Sequence, residues 1–235
     1  MSAEEIRKNV AEVRERIAYA ARKAGRRAEE ITLIAVSKTH PAEAIREAFA
    51  AGIRHFGENR VQEWEAKRRG VEDLPGQWHL IGHLQSNKAS RAAKIFHAVD
   101  AVDDYALAQR LDRARRETAG AEMLRVLIEV QVAAEETKSG VGRDQLSELA
   151  EKIGELGRLE LAGLMCIPPF VEDAENVRRY FAELRELNVK LATKLGKKLP
   201  VLSMGMSHDF AVAIEEGATE VRVGTALFGA REEAE

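Results

Sequence analysis

A lysine at the end of a core strand is the first residue whose type and place suggest chemistry. The stretch Ile31 to Val36 is short, apolar and β-branched, as buried strands are, and it stops on Ser37-Lys38-Thr39-His40. Pro41 suits the first turn of a following helix, so the loop between them presents Lys38 at the carboxyl end of the strand. Two later stretches could do matching chemistry. Ser203-Met204-Gly205-Met206-Ser207-His208-Asp209 and Gly224-Thr225-Ala226 each set small or hydroxyl-bearing residues where a strand gives way to a helix. Backbone N–H and side-chain O–H groups there can approach an anion such as phosphate. Arg222 alternates with Val221 and Val223, so if the valines pack under helices the arginine points inward. Each feature alone has a plainer reading: a lysine reaching water, a serine or aspartate capping a helix, an arginine at a strand end.

What could bring these residues together is the order of elements. Ile6, Val10, Val13, Ile17 and Ala20 recur at helical spacing, which predicts an amphipathic helix ending near Gly25, ahead of the first strand. Strands are then predicted at Ile31–Val36, Ile53–Gly57, Gln77–Ile81, Ile95–Val99, Leu124–Val130, Leu159–Met165, Pro200–Met204 and Glu220–Val223. Helical patterns separate them, with Ser86 expected as one N-cap and a polar loop containing Lys138-Ser139-Gly140 after the fifth strand. Eight such units predict an α/β fold, a single (β/α)8 TIM barrel over residues 1–235 with an extra N-terminal helix and an acidic tail. An open doubly wound sheet would carry a glycine-rich turn after its first strand, and here that turn is Ser37-Lys38-Thr39-His40.

In such a barrel the loops after the strands gather at one end, and phosphate is often held after the seventh and eighth. Closure pairs the eighth strand with the first and sets the Gly224-Thr225 loop beside Lys38, one strand spacing of about 4.8 Å away. An amine facing a phosphate cradle across a gap the size of one small ring suits an aldehyde-bearing phosphorylated cofactor, pyridoxal 5′-phosphate. A phosphorylated sugar or nucleotide, with Lys38 as a plain cation, is the alternative from a different class.

Composition narrows the partners. The net charge is -3, from 36 basic and 39 acidic residues that are interspersed, so no basic face for nucleic acid or a membrane surface is expected. The one cysteine, Cys166, has no internal partner and Met1 to Val10 carries no apolar signal segment, which predicts a reducing, cytoplasmic setting. No metal site is expected: His79 and His83 are four apart, but a glycine lies between them and they fall on a strand-to-loop turn. The histidines, His40, His55, His79, His83, His97 and His208, read as polar groups of the pocket.

The chain resembles the pyridoxal-phosphate-binding homeostasis proteins of the alanine-racemase-like barrel class. The resemblance is carried by Ala35-Val36-Ser37-Lys38-Thr39, His55-Phe56-Gly57-Glu58-Asn59, the block from Trp78 to Lys88, Ser203 to Ser207, and the block from Val221 to Gly229. It implies that Lys38 is the Schiff-base lysine, that Ser207, Gly224 and Thr225 hold the phosphate, and that Arg222 partners the pyridine nitrogen. It also implies that Asn59 contacts the ring region from the second strand and that Met206 lines the pocket. The expected function is that of an intracellular cofactor carrier or regulator, with apo-enzymes dependent on the same cofactor as acceptors and no established catalytic residue. Ala133, Cys166 and Phe170 depart from the family pattern outside the lysine and phosphate motifs, and bear on the substrate-facing side of the pocket.

The enzyme alternative is an amino-acid racemase or lyase, and little or no turnover is expected. A racemase needs a proton acceptor on each face of Cα, and in the alanine racemases that this chain resembles the second is a tyrosine placed with the help of an additional β domain. Here the chain stops soon after the eighth strand, and Tyr19, Tyr105 and Tyr180 all fall on predicted helices.

Overall fold

The computed structural model describes residues 1–133 and 139–229. Lys138 of the loop after the fifth strand and the acidic tail beyond Gly229 lie outside the described residues. Eight parallel strands close in sequence order into a barrel: β1 (Thr32–Val36), β2 (His55–Glu58), β3 (Gln77–Leu80), β4 (Ala98–Val102), β5 (Leu124–Glu129), β6 (Leu159–Met165), β7 (Val201–Ser203) and β8 (Glu220–Val223). The closing register pairs Ile34 with Arg222 and Ala35 with Val223. Between the strands run α2 (Ala42–Ala50), α3 (Val61–Lys67), α4 (Ala89–Ile95), α5 (Tyr105–Arg116), α6 (Leu146–Gly154), α7 (Arg178–Leu195) and α8 (Phe210–Glu215). No helix among the described residues is long and apolar enough to cross a membrane.

The additional helix α1 (Ala3–Lys23) starts at a reciprocal cap in which Ser2 Oγ accepts from Glu5 N and Glu5 Oε2 accepts from Ser2 N. Its buried stripe of Ile6, Val10, Val13 and Ile17 packs on α2, α8 and the one-turn helix α9 (Thr225–Phe228). Asn9 Nδ2 donates to Leu227 O at 3.0 Å and ties α1 to that turn. Among the described residues the unit after β8 has one helical turn, and α1 packs over it, covering the β8–β1 seam where the Gly224 turn touches Val36.

Two expectations needed correction, one of a strand and one of a helix cap. The fourth strand is Ala98–Val102, three residues later than predicted, because Ile95 ends α4 and Phe96 buries its ring under the helices. Ser86 is not an N-cap; it opens a 3-10 turn, Ser86–Lys88, that runs into α4.

Alternation along the strands sorts the core into two layers. Ala35, Phe56, Leu80, Val126, Ile128, Val221 and Val223 face the helices in one continuous apolar cluster. Inside the barrel, Ala101, Leu127, Ala162 and Met165 form a small apolar group. Toward the amino ends of the strands the interior is charged. His79 Nδ1 and Asp100 Oδ2 are 3.1 Å apart, His55 Nδ1 lies 3.0 Å from His79 Nε2, and Arg125 donates to Asp100 Oδ1 at 3.1 Å and Glu220 Oε2 at 3.2 Å. His79, Asp100 and Glu220 could converge on a metal ion, but the Arg125 guanidinium already bridges the two carboxylates and occupies a cation's place. Thus His55 and His79 belong to a structural plug, not to the pocket where the sequence reading put them. His97 is likewise structural: its Nδ1 accepts from Trp78 N at 3.0 Å.

The plug makes acid stability testable. Burial, with the neighbouring His79 and Arg125, lowers the His55 pKa from 6.5 to about 4. The unfolded chain therefore binds this proton more readily than the folded one between those two values, so stability is lost as pH falls from about 6.5 toward 4. The effect should be on the order of 1–2 kcal/mol once the solvent screening of a half-buried ring is allowed for. In urea unfolding across pH 4 to 7, His55→Asn should show a flatter acid limb than wild type. Parallel limbs would remove His55 from the account.

Candidate functional site

Closure places the sequence-predicted residues at one end of the barrel. A Cβ on Gly224 would stand 3.4 Å from both Val36 Cβ and Val36 O, so the turn after β8 touches the end of β1 two residues before Lys38. Ser207 reaches the same turn from the loop after β7. Its Oγ accepts from Gly224 N and Ala226 N, both at 3.3 Å, leaving the hydroxyl hydrogen to donate elsewhere. The Ser207 loop is bent by Gly205 at φ +92, where a Cβ would meet Ala213 Cβ at 2.6 Å. It is closed by Asp209 Oδ1, which accepts from Met206 N at 2.6 Å. Thr225 is exposed beside it, and Met206 is half-buried.

Arg222 points into the barrel, as its parity predicted, and is 3% exposed. Nη1 donates to Ser203 Oγ and Nη2 to Cys166 O, each at 2.8 Å. Both partners are neutral, so the guanidinium keeps its charge uncompensated by any direct carboxylate contact among the described residues. The Cys166 side chain instead packs in the outer apolar layer, and burial pushes its thiol up to about 12. Its effect on the pocket therefore runs through its carbonyl. Phe170 is exposed and sits 5.5 Å from the His208 ring, outside the cradle. Ala133 lines a cavity of about 200 Å³ with Glu129 and Ser139.

Lys38 itself is half-buried on a loop held from outside the barrel. Ser37 is fully buried and donates through Oγ to Glu58 Oε1 at 2.6 Å, on the helix-facing side. Continued past the end of β1, the same alternation would set Lys38 on the opposite, inner face. Lys67 of α3 donates to two loop carbonyls, Ser37 O at 2.8 Å and His40 O at 3.3 Å, and pairs with Glu58 of β2 at 2.7 Å, while Glu63 accepts from Thr39 N. Thr39 sits in the left-handed region at φ 65, a conformation that costs a non-glycine residue roughly 1–3 kcal/mol. The Lys67 clamp holds that strained turn in place. Sequence reading took Glu58 as the start of a polar loop, whereas it is the buried last residue of β2.

Glu129 was also missed. The last residue of β5, it is 4% exposed, with Oε1 accepting from Ser139 Oγ at 2.9 Å and Oε2 buried without a partner. Burial raises its pKa, and Asp103 adds to the rise against the pull of Ser139, Arg222 and His83. Its inward parity in the strand was the available signal.

A closed parallel barrel with a lysine loop after β1 and a glycine turn after β8 packed against the end of that strand defines the class. Residues 4–232 match the family described as alanine racemase, N-terminal domain. Closer relatives are bacterial proteins named pyridoxal phosphate homeostasis protein. That of Pseudomonas aeruginosa is 48% identical over 227 residues, covering 97% of this chain and 96% of that protein. That of Aquifex aeolicus is 47% identical over 93% of this chain and 95% of its own. PipY of Synechococcus elongatus PCC7942, solved with PLP bound, superposes with a TM-score of 0.85 at 40% identity, covering 95% of this chain and 100% of that one. The chain belongs to the pyridoxal phosphate homeostasis proteins.

The clamp can be tested without any ligand. Removing one partner of a buried ion pair typically costs about 3–5 kcal/mol, and removing both costs less. Lys67→Met should therefore destabilise the protein more than Glu58→Gln/Lys67→Met together, and should speed amide exchange at Thr39 and His40. A double variant less stable than the single one would show that the pair does not set this energy.

Proposed function

We propose that this protein binds pyridoxal 5′-phosphate at the carboxyl end of the barrel, attached through Lys38, and serves to hold and release that cofactor rather than to turn over a substrate. The observation that carries the reading is the contact of the Gly224 turn with the end of β1, which sets an anion cradle beside a loop-held lysine. When bound, the cofactor supplies an aldehyde carbon to which an amine adds reversibly. Ser207, Gly224 and Thr225 hold its phosphate: Ser207 has a hydroxyl hydrogen to give, and Thr225 carries another hydroxyl at the first turn of α9. Arg222, fixed by Ser203 and Cys166, presents a permanent cation to the ring nitrogen and disfavours its protonation. Asn59, next to β2, and Met206 flank the ring. The acceptors are apo-enzymes that use the same cofactor.

Weak turnover is the expectation from where the tyrosines and the cysteine thiol lie. Tyr19 lies on α1, Tyr105 stands 5.6 Å from Lys152 Nζ on α6, and Tyr180 contacts Arg179 on α7, so none faces the mouth. The Cys166 thiol faces the helices. Loss of a positioned acid or base costs roughly 10²–10⁴-fold in rate.

Three measurements test the reading. Borohydride trapping followed by peptide mass analysis should place pyridoxal phosphate on Lys38 in wild type and on no residue in Lys38→Ala. Ser207→Ala and Thr225→Ala should each weaken retention by about 1.5–3 kcal/mol, a lost hydrogen bond to a charged group. Wild-type retention in both would remove the phosphate from this cradle. In D₂O, loaded protein given L-alanine should show little Cα deuteration; multiple-turnover inversion would establish the racemase reading instead.

A further inference from the structure

The block from Gly82 to Lys88 has no role in the cofactor cradle, yet it forms one wall of a cavity of about 680 Å³ at the carboxyl end of the barrel. Asn59, Arg60 and Gln62 form the facing wall from the segment after β2, with His83, Gln85 and Lys88 opposite. The two walls are pressed together at their base, since a Cβ on Gly82 would lie 2.5 Å from Asn59 O. Any other residue there would force the walls apart.

The chemistry of the lining is one-sided. Arg60 and Lys88 make no side-chain ion pair or hydrogen bond with any described residue, and Asn59, Gln62 and Gln85 add amide N–H donors. Among the described residues no acid lines the cavity, and those nearby in the chain are engaged: Asp103 Oδ2 lies 3.2 Å from His83 Nδ1, Glu58 pairs with Lys67 at 2.7 Å, and Glu63 accepts from Thr39 N. Single unpaired cations are ordinary on a protein surface. Here two of them, with three amides, converge on one concavity.

Strand order gives the cavity its place. Around the barrel the sequence is β8, β1, β2, β3, so Lys38 at the end of β1 has the Ser207–Gly224 cradle on one side and this cavity on the other. We propose that the cavity is a second oxyanion subsite, distinct from the phosphate cradle, which takes the carboxylate or phosphate of a small ligand lying against the Lys38 side of the mouth. Arg60 offers a fork of parallel N–H donors to such a group and Lys88 a point charge, while the amides fix its orientation. The inference does not depend on what occupies the cradle.

The test uses the full chain without cofactor, labelled with ¹⁵N, and follows the side-chain resonances of Arg60, Asn59, Gln62 and Gln85. Sodium acetate and inorganic phosphate are titrated separately at constant ionic strength set by chloride. Saturable shifts are expected with at least one of the anions; acetate alone identifies a carboxylate, phosphate alone a phosphate ester, and both a general oxyanion site. In Arg60→Gln/Lys88→Gln the dissociation constant should rise at least tenfold, while Thr225→Ala should leave it within twofold of wild type. Shifts that fail to saturate, or that persist in the double variant, would overturn the proposal. So would shifts abolished by Thr225→Ala, because the anion would then be reporting the cradle. Retention of pyridoxal phosphate by the same variants is scored separately, so failure of the subsite and failure of the cofactor reading give different results.

Discussion

The site exists because the last strand pairs with the first. Residues of β1 and β8 are nearly two hundred positions apart in sequence, yet the register sets Ile34 against Arg222 and Ala35 against Val223. Lys38, Arg222, Ser207 and the Gly224 turn are neighbours only in a closed barrel. Among the described residues the unit after β8 has a single helical turn, and α1 packs over that seam. Helix α1 thus supports the seam from outside, packing on α2, α8 and α9.

Closure brings the elements together, and the Lys38 loop is then fixed from both sides. On its inner side Val36 meets the Gly224 turn. On its outer side Ser37 is bonded to Glu58, and Lys67 gathers two loop carbonyls and that same carboxylate. A left-handed threonine persists in the loop because these contacts over-determine it. At the opposite end of the barrel, Arg125, Asp100, Glu220 and the His55–His79 pair fill the interior with a mutually satisfied charge network. Charge inside a barrel is tolerated there because each group meets a partner of opposite sign or a hydrogen-bonding mate.

Much of this was legible in the chain. The bounds of β6 and β8 match those read from apolar runs, and the parity of Arg222 between two valines gave its inward direction. The lysine and the two turns of small and hydroxyl-bearing residues stood out because their residue types are unusual at strand ends. What the sequence concealed were the pairings made across strands. Asp100 hides β4 from a search for apolar runs, since only Arg125 and His79, from neighbouring strands, make its burial possible. Glu58 looked like the start of a loop because its partner Lys67 lies on the following helix, and Glu129 looked like one more residue in an apolar strand. Periodicity shows which face a residue takes; it does not show what meets it there.

The account turns on where the phosphate sits. A crystal structure of the full chain soaked with pyridoxal 5′-phosphate addresses it most directly. The account predicts phosphate density bounded by Ser207 Oγ, Thr225 Oγ1 and the backbone of the Gly224 turn, with continuous density from the ring to Lys38 Nζ. Phosphate held away from the Gly224 turn, or a ring bonded to a lysine other than Lys38, would contradict it.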